Sequence, residues 1–257
     1  MLKFQKSKAD DGRPLYRFPI QANYIIPGDI HFPLQNSTVL KRFTIENTLD
    51  SNKTNIVFLQ GDFGDQEAFN KFAKDPEQIV KSHSMKRERQ VLSEWIDRWF
   101  EAGYDYIIVG PGNHGDRAGK LVFSNPGFIG MGWWWPYGSI LQNERLIILD
   151  SDYRAQIGKD IFIEHGDSLK GATDSSKKGA ASSVAEANPD GHIHVFGHTH
   201  RAGIGYHTRY PGGKRVITTA VNVGNCIDIK KVDYVKGPNW QHGCGYITNG
   251  DVSLEVL

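Results

Sequence analysis

Short apolar runs separated by polar stretches set the rhythm of this chain. Tyr24-Ile25-Ile26, Ile56-Val57-Phe58-Leu59, Tyr106-Ile107-Ile108-Val109, Ile161-Phe162-Ile163 and Ile193-His194-Val195-Phe196 are too short for helices and rich in β-branched residues. Such runs read as buried strands. The pattern predicts strands over Asn23–Pro27, 55–60, 104–110, 145–150 and 160–164. A helix is expected over 38–49, and 66–102 reads as mostly helical with a break at Asp75-Pro76. Within it, Val91, Leu92, Trp95, Ile96 and Trp99 form one apolar stripe beside Arg89, Glu94, Asp97 and Arg98. That spacing marks the tryptophans as core. Gly103 is placed to stop the helix.

The stretch 168–189, rich in Ser, Ala, Gly and Lys, reads as a loop followed by a short helix near 182–187, with Lys170, Lys177 and Lys178 on a solvated face. Beyond His200, the runs around Ile204, Val216 and Tyr246 predict strands joined by Gly and Asn turns. Periodicity alone therefore supports an α/β protein with a mixed sheet.

Composition narrows the class without naming a function. At 257 residues, with 39% hydrophobic and 23% charged positions, one globular domain over 1–257 is expected. Thirty basic against 29 acidic residues name no partner and leave a local basic groove open. Cys226 and Cys244 have no CxxC spacing, so free thiols are expected. The N-terminus lacks the apolar core of a signal peptide, and no run approaches the ~18 apolar residues of a membrane span. A cytoplasmic protein with no membrane contact is the expectation; oligomeric state is left open.

The candidate chemistry lies in polar segments that mostly follow the apolar runs. They are Asp29-Ile30-His31, Gly61-Asp62-Phe63-Gly64-Asp65, Gly112-Asn113-His114, His165-Gly166-Asp167 and Gly197-His198-Thr199-His200. Carboxylate, imidazole and amide groups thus recur at strand ends, where ligand sites of α/β sheets assemble. Oxygen and imidazole donors without thiolate suit a hard-to-borderline divalent cation. The chain reads as a metal-dependent hydrolase.

In this order, D-x-H, G-D-x-x-D, G-N-H, H and G-H-x-H resemble the calcineurin-like metallophosphoesterases. Each element alone is weak; the ordered set is specific. The compact size also resembles stand-alone bacterial and phage-encoded members. The resemblance implies a four-layer α/β/β/α sandwich and two divalent cations, manganese first, with iron, zinc, nickel or magnesium as alternatives. It assigns Asp29, His31, Asp62 and His200 to one cation, and Asp62, Asn113, His165 and His198 to the other. A bridging carboxylate such as Asp62 holds two cations roughly 3.5–4 Å apart, and a metal-bound hydroxide would be the nucleophile.

The resemblance makes His114 catalytic, protonating the leaving oxygen or aiding the attacking water, with Asn113 and His114 touching substrate. Imidazole suits proton transfer near neutral pH. The family usually places an acidic residue directly after G-N-H to orient this histidine, whereas here Gly115 intervenes before Asp116. Asp116, Asp65 or another group is left to hold it, and Asp65 reads equally as a helix N-cap. Arg117 and Arg201 are candidate phosphate contacts by position. Any one of these histidines alone would more often be structural. His192 and His194 alternate on a strand and read as structural. Trp133, Trp134 and Trp135 cannot all face one way, so one could stack on a base, although packing is the ordinary outcome.

The expected substrate is a phosphodiester of nucleotides or nucleic acid. A phosphomonoesterase acting on proteins or small molecules is the alternative. A non-catalytic scaffold is the third reading, disfavoured because neither ligands nor His114 are missing.

Overall fold

The computed structural model describes residues 2–66, 85–114, 117, 143–173, 179–232 and 238–257. The expected break at Asp75-Pro76, Asp116, Lys177, Lys178 and the tryptophans 133–135 lie outside the described residues. Among the described residues the architecture is α/β, with two mixed sheets and few helices.

Strands β3 (Asn23–Pro27), β4 (Asn55–Leu59), β5 (Tyr106–Val109) and β6 (Leu146–Ile148) run parallel in one sheet. Its other side is completed by the antiparallel hairpin β12 (Gly243–Thr248) and β13 (Asp251–Val256). Asn249 and Gly250 join the two with φ of 55° and 87°. Positive φ at both turn residues is what a tight type I′ hairpin needs, and Asn-Gly supplies it at least cost.

The second sheet contains β1 (Gln5–Lys8), β2 (Pro14–Phe18), β7 (Arg154–Ile157), β8 (Ile161–Ile163), β9 (Ile193–Phe196), β11 (Val216–Asn222) and β10 (Gly203–Arg209), in that spatial order. Within it, β8, β9 and β11 are parallel neighbours.

Alternate residues of the central strands enter different cores, because side chains of a strand point to opposite faces. Ile25, Val57, Leu59, Ile107 and Val109 pack with Leu40, Phe43, Trp95 and Trp99 of helices α1 (Ser37–Thr44) and α2 (Met85–Glu101). Ile26, Ile56, Phe58 and Ile108 pack with Ala155, Ile157, Ile163, Val195 and Val221 of the second sheet. On that sheet, Phe196 and Ala220 pack with Ala181, Val184 and Ala185 of helix α3 (Ala180–Ala187).

The apolar stripe of α2 is buried as expected, and Gly103 follows the helix at φ +101°. Helix α1 starts at Asn36, whose side chain accepts from Val39 N, but it stops at Thr44 instead of near Leu49. Tertiary contacts end it: Trp99 Nε1 donates to Thr44 Oγ1 at 2.8 Å, and Tyr104 Oη donates to the Thr44 carbonyl. Both cysteines are free and buried. No described helix is long and apolar enough to cross a membrane.

Candidate metal centre

The C-terminal ends of β3, β4 and β5 in one sheet, and of β8 and β9 in the other, deliver the polar segments to a common place. Backbone amides knit the loops together first. Ile30 N and His31 N both donate to Asp62 O, at 3.2 and 2.8 Å, and Asp65 N donates to Phe32 O at 3.0 Å. His114 N donates to Asp62 Oδ1 at 2.9 Å, and His198 N to Asp29 Oδ2 at 2.7 Å. Each carboxylate is thereby aimed by an amide from a different loop, and Asp29, His31, Asp62 and His165 are buried.

Among the described residues three donor groups result: Asp29 with His31 and His200, Asp62 with His165 and His198, and Asp62 with His31 and His114. Asp62 joins the first two. Its Oδ2 lies 3.2 Å from His165 Nε2 and 3.7 Å from His31 Nε2. Asn113 Oδ1 stands 2.9 Å from His165 Nε2 and 3.1 Å from His198 Nδ1. His200 Nε2 meets Asp29 Oδ2 at 3.2 Å.

His198 and His200, two residues apart, belong to different groups. The backbone explains how: their φ values are 66° and 59°, and His31 and Asp62 also have positive φ, at 51° and 37°. The left-handed region costs a non-glycine residue about 1–2 kcal/mol, and such strain concentrates where a site dictates side-chain direction. The motif glycines have a steric reason as well. A Cβ at Gly112 would collide with Asp62, and one at Gly197 with Asp29 and Gln60.

Charge and burial compete in this cluster. Burial pushes the Asp62 carboxyl up, but His165, His114 and His31 outweigh it and hold the group well below its ordinary value. Burial lowers His165, yet the charges of Asp62 and Asp29 raise it to about 9. Burial also lowers His31, but its hydrogen bond to Asp65 and the charges of Asp62, Asp65 and Asp29 leave it raised. His198 and His200 move down instead, because burial dominates; for His200 it exceeds the pull of Asp29. Asp65 is held far below its ordinary value against its own burial by His114 and His31.

Asp65, one of the groups left open to hold His114, lies against that ring and against His31. Its Oδ1 lies 2.9 Å from His31 Nδ1 and 3.2 Å from His114 Nδ1, and its backbone oxygen is 3.1 Å from His114 Nδ1. Arg117 donates from Nη1 to Asp65 O and from Nη2 to His114 Nε2, both at 2.8 Å. Arg201 is half-buried, and among the described residues its guanidinium makes no hydrogen bond or ion pair. His194, read from the sequence as structural, pairs with Asp190, its Nε2 3.1 Å from both carboxylate oxygens.

Sequence reasoning missed several supporting residues. Gln60 Nε2 donates to Asp29 Oδ1, and Gln60 Oε1 lies 3.4 Å from His165 Nδ1. Asn222 Nδ2 donates to Thr199 Oγ1 at 2.7 Å, and Asn225 Nδ2 to His200 O at 3.4 Å. The available signal was polar amides ending otherwise apolar strands. Trp240 also reaches the site, in ring contact with His200.

Comparison with known protein families finds no match. Over 56 residues the chain is 43% identical to the Gene 54 protein of Mycobacterium phage D29 and 41% identical to that of Mycobacterium phage L5. The match takes in 21% of this chain and 22% of each relative, about a fifth of their length.

Proposed function

We propose that this chain is a binuclear metal-dependent phosphoester hydrolase with the four-layer α/β/β/α arrangement, acting on phosphodiesters of nucleotides or nucleic acid. The observation that carries the reading is Asp62 Oδ2, placed between His31 Nε2 of one donor group and His165 Nε2 of the other. The three separate cores, one on each outer face and one between the sheets, support the layer order.

The donor set fits divalent cations. His31 Nδ1 is engaged by Asp65, whereas its Nε2 is buried, has no hydrogen-bond partner among the described residues and faces Asp62. A buried polar atom left this way costs free energy unless something binds it. Asp29, His31, Asp62 and His200 would hold one ion, and Asp62, Asn113, His165 and His198 the other. Bound ions would lower the pKa of water toward about 7 and offset charge on the phosphoryl oxygens.

The chain's own residues supply the rest. Asp65 fixes the His114 ring from the Nδ1 side while Nε2 accepts from Arg117 Nη2, so Nε2 serves proton transfer to a leaving oxygen once Arg117 turns to the phosphate. Arg117, already within hydrogen-bond reach of that nitrogen, is placed to take a phosphate oxygen beside it.

Metal analysis, with turnover of bis-p-nitrophenyl phosphate and p-nitrophenyl phosphate side by side in added manganese, tests this reading. The expectation is bound metal and preferred diester turnover. Preferred monoester turnover would make it a phosphatase, and metal binding without turnover of either ester a scaffold.

A further inference from the structure

Trp240 touches the donor cluster without belonging to any of the sequence segments that form it. Its ring centroid lies 4.4 Å from that of His200, with the planes at 83°. The segment is tied down beside it: Gln241 N donates to His200 O at 3.0 Å, and Asn225 Nδ2 donates to Gln241 O at 3.0 Å. The indole is therefore held at the donor cluster by backbone hydrogen bonds on its neighbour.

Folding makes little use of this ring. Trp95 and Trp99 are buried in the helix-facing core, whereas Trp240 is part of none of the three apolar cores and is only half-buried. A perpendicular contact occupies either one face or one edge of the indole. At least one broad face is thus left unused by His200. A large aromatic surface, anchored next to polar groups and not taken up by the apolar cores among the described residues, is suited to stack a planar ligand.

We infer that Trp240 is the aromatic wall of the substrate site, stacking the heterocyclic base of a nucleotide whose phosphate lies at the donor cluster. The inference rests on the phosphoesterase reading and narrows its substrate to esters bearing a base. Stacking does not read hydrogen-bond patterns, so purine and pyrimidine nucleotides are both accepted, with purines favoured by ring area.

The test is designed to fail separately from that reading. The Trp240 indole N–H resonance is assigned as the one absent from Trp240→Phe, then followed in wild type during titration with adenosine 5′-monophosphate and with inorganic phosphate. A shift with the nucleotide that phosphate does not reproduce is expected, whether or not the protein turns over any ester. In the manganese-loaded protein, Trp240→Ala should weaken adenosine 5′-monophosphate binding by about 10-fold or more while leaving phosphate affinity and manganese stoichiometry unchanged. Trp240→Phe should recover most of the loss. An indole resonance that ignores the nucleotide, or a Trp240→Ala variant that loses manganese and both ligands alike, overturns the inference. The second result would make Trp240 a residue that only positions His200. Absence of manganese binding and of ester turnover in wild type would instead overturn the phosphoesterase reading.

Discussion

The Asp65 carboxylate stands 3.2 Å from His114 Nδ1, and the same oxygen lies 2.9 Å from His31 Nδ1. One side chain therefore orients both a candidate ligand and the candidate proton donor. Asp65→Asn keeps an acceptor but loses the charge that both imidazoles feel. The variant should lose about 10- to 100-fold in metal affinity or activity. Calorimetric metal titration with kcat on a diester checks this, and wild-type values for both would refute the shared role.

Ligand loss and catalytic loss are separable. Chelation should abolish activity, and manganese should restore it at least as well as magnesium, because imidazoles favour the softer ion. His114→Asn should retain both ions and lose about 10² to 10⁴ in turnover. Asp62→Asn should lower the occupancy of both positions together. Metal stoichiometry decides, and the reverse pattern would exchange the two roles.

Gly112 offers a steric test of the same bridge. A methyl at this position overlaps Asp62 Oδ1, Cγ and N. Gly112→Ala should fold with a loss of about 1–3 kcal/mol from overpacking, yet bind metal poorly at both positions. Thermal denaturation and metal analysis of the folded fraction distinguish the two effects. Full metal occupancy would show that Asp62 can shift without consequence.

Away from the site, Asp190 provides a pH-dependent contribution to stability. Burial raises its carboxyl, but hydrogen bonds from the His194 ring and the His192 amide lower it from 3.8 to about 2. A depressed folded-state pKa stabilises above the unfolded value, so the contribution is present above pH 3.8 and is lost as pH falls through about 2. The side chain is 38% exposed, and solvent screening reduces the contribution to about 1 kcal/mol. Asp190→Asn should therefore unfold more readily than wild type at pH 5, with the gap closing toward pH 2. Denaturant midpoints across that range measure it, and a gap independent of pH would count against the ion pair.

Short apolar runs followed by polar segments were enough to place β3, β4, β5, β8 and β9 and the groups behind them, because an apolar strand and its polar end differ within a few residues. Residue chemistry likewise made the candidate ligands legible. The strands β1 and β7 were not legible: Gln5–Lys8 is exposed throughout, and Arg154–Ile157 has only Ala155 and Ile157 buried. Their pairing with distant segments, not their own pattern, makes them strands.

The choice of Asp65 to hold His114, the amide supports Gln60, Asn222 and Asn225, and the placing of Trp240 against His200 were all tertiary decisions. Each joins positions far apart in the chain, and the left-handed backbone at His198 and His200 sends neighbouring side chains to different donor groups. Sequence by itself determined which groups could bind a cation and at which strand ends they stand. Only the packing of the two sheets face to face, which brings their strand ends together around Asp62, decided which atoms meet, because a contact across long loops has no local signature in a single chain.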